Sequence, residues 1–173
     1  MEKVIRHLTK DVIKVLKAGD FILFSGILYT ARDQAHKKLL DLIKAKKPLP
    51  FDLKDKVIYY CGPTPALHGQ VVGACGPTTS SRMDSFTPQL LSKGILAMIG
   101  KGQRCAEVIA AIKKYQAVYF STYAGCGALL SQCVKSKKLI CFAELGTEAV
   151  FAFEVEKFPL ITAIDAQGGT IYE

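Results

Sequence analysis

The sequence predicts an α/β domain, and three observations carry that prediction. Short β-rich runs alternate with stretches of helical spacing, glycine loops separate them, and the order strand, loop, helix recurs in the second half of the chain. At 173 residues the chain fits one domain, 1–173, able to bury roughly two-thirds of its unfolded surface. Segments 4–8 and 12–16 alternate apolar and charged residues and fit either a strand or a short helix. Gly19-Asp20 makes a turn, residues 21–29 form a β-rich run, and helical spacing covers 34–45. A buried strand follows at 57–61, stopped by Gly62-Pro63-Thr64-Pro65, whereas 69–76 has no clear assignment. Residues 85–92 read as a helix with Pro88 in its first turns. The rhythm then becomes regular: strand 95–99, loop Gly100-Lys101-Gly102, helix 103–115, and again strand 117–123, loop 124–127, helix 128–134. Further strands are expected at 139–142, 151–155 and 161–164, with a turn at 165–169.

Composition narrows the function classes. No apolar stretch suits a membrane span and residues 1–6 are charged, unlike a secretion signal, so a cytoplasmic protein without membrane contact is expected. Cys61, Cys75, Cys105, Cys126, Cys133 and Cys141 contain no C-x-x-C pair and read as reduced thiols, with no metal site within the chain. The net charge of +8 suits an anionic partner. Only four basic residues are arginines, and lysine runs such as Lys44, Lys46, Lys47 and Lys135, Lys137, Lys138 read as solvated faces and helix C-termini. A small acid is therefore expected over nucleic acid.

Candidate site residues cluster where strands give way to helices, the position at which α/β sheets collect ligands. Residues 76–84, Gly-Pro-Thr-Thr-Ser-Ser-Arg-Met-Asp, place four hydroxyls and Arg82 at a helix start. Thr79 and Asp84 belong to this loop, and Gly76 opens it. Thr30-Ala31-Arg32-Asp33 puts a second arginine in an equivalent loop, with His36 one turn later on the same side. Lys101 lies between two glycines, although the spacing of a phosphate loop is absent. Arg32, Arg82 and Lys101 together suit a dicarboxylate. The Ala124-Gly125-Cys126-Gly127-Ala128 segment is small enough for a ligand or a neighbouring backbone to approach closely, and nothing pairs Cys126 with a base. His68 and His7 carry no pattern.

Across residues 19–173 these motifs resemble the β subunit of class I fumarases and L-tartrate dehydratases, which is also the C-terminal domain of the single-chain enzymes. The likeness is carried by Gly-x-x-x-Thr-Ala-Arg-Asp-x-Ala-His-Lys at 26–37, residues 60–63, 76–84 and 100–102, and the closing 165–172. It implies a swivelling β/β/α three-layer domain. It also implies an α subunit that holds a 4Fe–4S cluster, an arrangement such as α2β2, and a hydro-lyase reaction interconverting fumarate and (S)-malate. Carried over, Arg32, Arg82 and Lys101 would bind the substrate carboxylates and Thr78 would be the catalytic base, with Asp33, His36, Gly76, Thr79 and Asp84 behind or beside them. Tartrate as substrate, or a dicarboxylate-binding module without catalysis, are the alternatives. The chain departs from the family pattern at 124–128 and at Gly146-Thr147-Glu148-Ala149.

Overall fold

The computed structural model describes residues 3–172. In chain order it contains β1 (Val4–Ile5), α1 (Lys10–Val15), β2 (Phe21–Thr30), α2 (Asp33–Lys44), β3 (Val57–Tyr59) and a 3-10 turn at Ser80–Met83. There follow α3 (Thr87–Leu91), β4 (Ala97–Gly100), α4 (Ala106–Tyr115), β5 (Val118–Ser121), α5 (Gly127–Ser131), β6 (Val134–Cys141), a 3-10 segment at Ala143–Glu148 and β7 (Val150–Ile164). The ambiguous N-terminal segments divide into a strand and a helix. Thr9 fixes the start of α1, its hydroxyl accepting from Val12 N–H at 3.3 Å.

The mixed α/β character expected from the sequence is present. Strands β2, β3, β4 and β5 run parallel side by side, and β6 and β7 add antiparallel pairing. One edge of β7 pairs with β2, from Phe21↔Ile161 to Tyr29↔Ala152, and its other edge pairs with β6 and β5. The sheet therefore closes on itself through β2, β3, β4, β5 and β7. Alternation along the parallel strands follows from that closure. Val57, Tyr59, Ala97, Ile99, Val118 and Phe120 point into one core, and Ile58, Tyr60, Met98 and Tyr119 into another that includes residues of α2, α3 and α4.

Three expectations are corrected here. The strands expected at 151–155 and 161–164 are one 15-residue strand, β7. It passes through Pro159 and a left-handed Lys157, a bulge held by Lys157 N–H donating to Ser25 Oγ at 3.0 Å. The helix expected at 128–134 is only the five residues of α5, and Val134 starts β6 instead. Lys135, Lys137 and Lys138 therefore lie on the outer strand of the sheet and not at a helix C-terminus, where charge discourages pairing with another strand. No helix among the described residues is long and apolar enough to cross a membrane.

Candidate functional site

Because β2, β3 and β4 are parallel neighbours, the segments after them meet on one rim of the sheet. Arg32 follows β2, Gly62 follows β3 and Lys101 follows β4. The hydroxyl-rich loop is bound to the same rim by its backbone. Thr78 N–H donates to the Tyr60 carbonyl at 2.7 Å, and Thr79 forms a parallel bridge with Lys101. Ser80 N–H donates to the Lys101 carbonyl at 2.9 Å, while Lys101 N–H donates to Ser80 Oγ at 3.0 Å. Gly100 is needed for this approach, since a Cβ there would overlap Ser80 Oγ and come within 2.8 Å of the Tyr60 ring. That glycine thus serves the joining of two loops.

The arginines meet on one carboxylate. Asp33 opens α2, and its Oδ1 accepts from Arg82 Nε at 3.0 Å while its Oδ2 lies 3.8 Å from Arg32 Nε. Arg32 Nη2 lies 3.6 Å from Glu148 Oε1. Both Arg32 contacts are ion pairs longer than a hydrogen bond, and its buried Nε has no hydrogen-bond partner. Arg32 lies against Gly62, where a Cβ would stand 2.9 Å from Nη1 and 3.0 Å from Cδ. Glu148 has a second task, accepting from Gln34 N–H at 3.1 Å at the exposed start of α2, where Arg32 itself supplies no side-chain cap. Nothing in the local sequence signals this glutamate, because its partners stand 114 residues or more away. Two of the cations, Arg32 and Arg82, thus face two carboxylates, Asp33 and Glu148, and Lys101 is held on the same rim by its backbone. No ion pair among the described residues involves Lys101, so the surplus positive charge is one.

Beneath this layer lies a second one that the sequence did not disclose. Arg104 is fully buried, donating from Nε to Asp84 Oδ1 at 2.6 Å and from Nη2 to Thr87 Oγ1 at 2.7 Å. Its guanidinium lies against the rings of Tyr60 and Tyr119, 5.3 and 4.9 Å from their centroids. Asp84 also accepts from Cys105 N–H at 2.8 Å, capping α4. His36 is buried against Tyr60 and Phe86, its Nδ1 2.8 Å from the Arg32 carbonyl. A carbonyl only accepts, so Nδ1 carries the hydrogen. Burial lowers the imidazole to about 4 and keeps it neutral. His36 supports the Arg32 turn from behind.

The remaining candidates are separated from this centre by role. Gly76 has room for a Cβ, whereas a Cβ on Gly127 would stand 2.8 Å from Gly76 N, so the close approach at the small-residue segment is made by backbone. Cys75 N–H donates to the Gly127 carbonyl at 3.1 Å across the same contact. His68 is exposed on the loop that precedes it, and Cys126 is half-buried at the start of α5. Burial raises the Cys61 thiol and pushes Cys75 up to about 12, so both stay as thiols at neutral pH. Among the described residues no group of three His, Cys, Asp or Glu side chains is placed to hold a metal.

The chain matches the family model described as Fumarase C-terminus over residues 2–173. It is 40% identical over 179 aligned positions to a Methanocaldococcus jannaschii protein provisionally named L(+)-tartrate dehydratase subunit beta, covering 100% of this chain and 92% of that one. It is 38% identical to the Escherichia coli anaerobic class I fumarate hydratase, covering 86% of this chain and 28% of the enzyme. Against Leishmania major fumarate hydratase 1 it is 34% identical, covering 100% of this chain and 31% of the enzyme. A closed mixed sheet with its arginine pair on one rim is thus the structural frame of a chain that belongs to the fumarase C-terminus family. It spans less than a third of the length of these two fumarate hydratases.

Proposed function

We propose that this chain is the β part of an iron–sulfur-dependent hydro-lyase, binding a C4 dicarboxylate on the rim formed by Arg32, Thr78, Arg82 and Lys101. The single observation that supports this reading most is the state of Arg32. Its guanidinium sits at ion-pair range from two carboxylates, with Nε unpartnered, beside a second arginine on the same aspartate. Nε itself is shut in, so the terminal nitrogens of this quarter-exposed fork are the donors that would meet a planar anion. Arg82 engages Asp33 through Nε and is half-exposed, so its terminal nitrogens are free to take the other carboxylate. Lys101 adds the surplus charge.

Fumarate hydration to (S)-malate is the favoured reaction. In the dehydration direction the C3–H bond breaks, its electrons form the C2–C3 double bond, and the hydroxyl leaves from C2. In this reading Thr78 takes the C3 proton and hands it to a carboxylate on the partner, since a threonine hydroxyl is too weak a base alone. The two arginines fix the carboxylates so that this hydrogen faces Thr78. A 4Fe–4S cluster, held by an α subunit in an assembly such as α2β2, would supply Lewis-acid help to the departing hydroxyl. In this reading residues 1–173 form one swivelling β/β/α domain that closes against that partner. L(+)-tartrate dehydration is the second reading, favoured by the 92% coverage of the M. jannaschii relative.

Anaerobic co-expression with the cluster-bearing partner, followed by assays on fumarate and tartrate, tests the proposal. Turnover is expected from the complex alone, and Thr78→Ala is expected to abolish it while substrate still binds. Turnover by the isolated chain would overturn the subunit model, and near-normal activity of Thr78→Ala would remove that residue from the chemistry.

A further inference from the structure

We propose that Arg104 is a positioning residue for the dicarboxylate rim, acting through Arg82 and Lys101 without touching the substrate. This rests on the site assigned above. Each of its nitrogens has a protein partner: Asp84 on Nε, Thr87 on Nη2 and the Tyr60 hydroxyl, at 3.4 Å, on Nη1. The side chain is 0% exposed. It meets no ligand, but one neighbour, Asp84, ends the hydroxyl-rich loop, and another, Tyr119, is bonded both to that loop and to Gly102.

One arm runs through Asp84. This residue stands two positions after Arg82, and its N–H closes the 3-10 turn onto the Ser81 carbonyl at 3.2 Å. With one carboxylate oxygen on Arg104 and the other on Cys105 N–H, Asp84 ties that turn to the start of α4. The other arm runs through Tyr119, whose ring lies against the Arg104 guanidinium. The Tyr119 hydroxyl is 2.8 Å from both the Gly102 carbonyl and Ser80 Oγ. Its single hydrogen goes to the carbonyl, which can only accept. Ser80 then donates to Tyr119 and accepts from Lys101 N–H, so the hydroxyl-rich loop and the Lys101 loop share one hydrogen-bond chain. A lysine at 104 would keep the charge but lose the fork and the flat faces that hold both arms at once.

The test uses the co-expressed complex, with steady-state kinetics on the dicarboxylate and thermal melting of the same preparations. Arg104→Lys is expected to raise KM about tenfold, and Tyr119→Phe several-fold, with kcat within about threefold of the parent. A merely structural role would instead lower the melting temperature and the apparent kcat through loss of active enzyme, leaving KM unchanged. If Arg104→Lys fails to fold, Tyr119→Phe decides, because it keeps the ring on the guanidinium and removes only the hydroxyl linking the loops. Arg82→Ala in the same assay separates two failures. An unchanged KM there would sink the rim assignment and this inference together, whereas a raised KM there with parental KM in the other two variants would overturn this inference alone.

Discussion

Arg104 and Arg32 lie in adjoining layers of one rim and differ in almost every physical respect. Arg104 is sealed, hydrogen-bonded on each nitrogen and packed against two tyrosine rings. Arg32 is a quarter exposed, holds its carboxylates at 3.6 and 3.8 Å, and leaves Nε unpartnered. The difference teaches that a loop arginine can be engaged wholly inside the protein, as Arg104 is, or left loosely paired and partly exposed, as Arg32 is, and the proposed binding role needs the second condition.

The sharpest way to break the comparison is truncation on both sides of it. Arg104→Ala would leave Asp84 partly buried without its cation, and is expected to cost about 3–5 kcal/mol in urea unfolding. Arg82→Ala, at a half-exposed site, is expected to stay within about 0.5 kcal/mol of the parent in the same measurement. Its effect belongs in kcat/KM, a loss of roughly 100- to 1,000-fold for removal of a charged bidentate contact. A large stability loss at Arg82 with little kinetic effect would reverse the assignment of the two layers.

The next effect depends on pH. His36 has a lowered folded-state value of about 4, so the unfolded chain takes up the proton first as pH falls below about 6.5. Stability is therefore complete above that point and declines progressively towards pH 4, by about 3 kcal/mol in all for this one group. His36→Gln is expected to flatten the decline between pH 6.5 and 4 in denaturant titrations, whatever its baseline cost. An undiminished slope in the variant would mean that other groups carry the acid sensitivity.

How much of this was legible beforehand follows from the range of the forces involved. The loops carrying Arg32, Thr78, Arg82 and Lys101 could be read because glycine, proline and hydroxyl residues between apolar runs leave local signatures. That β7 is continuous could not, since Lys157 and Pro159 imitate a strand break and only pairing with β2 carries the strand across them. Nor could the segment 128–134 disclose that its last residue joins β6, where Val134 pairs with Val155. Arg104 and Glu148 stayed hidden for the same reason. Their partners are 17 to 44 positions away for the first and 114 or more for the second, beyond any spacing rule for helices or strands. The glycines at 100 and 127 were visible as glycines, but their reason, contact with Ser80 and Gly76, is purely tertiary.

The smallest expected effect concerns the shortest exposed ion pair. Lys38 Nζ lies 2.7 Å from Glu144 Oε1, closer than any contact of Arg32, and joins α2 to the 3-10 segment that ends in Glu148. Distance alone would rank it above the ion pairs of Arg32 and Arg82. Yet both side chains are well exposed, at 42% and 60%, so water and salt screen the attraction and ordering two long side chains offsets much of it. A double-mutant cycle with Lys38→Ala and Glu144→Ala is expected to give a coupling close to the error of the measurement, fading in 1 M salt. A larger, salt-resistant coupling would show that the segment is clamped onto α2 from this side. Glu148 would then owe its place beside Arg32 to Lys38 as much as to its own bond with Gln34.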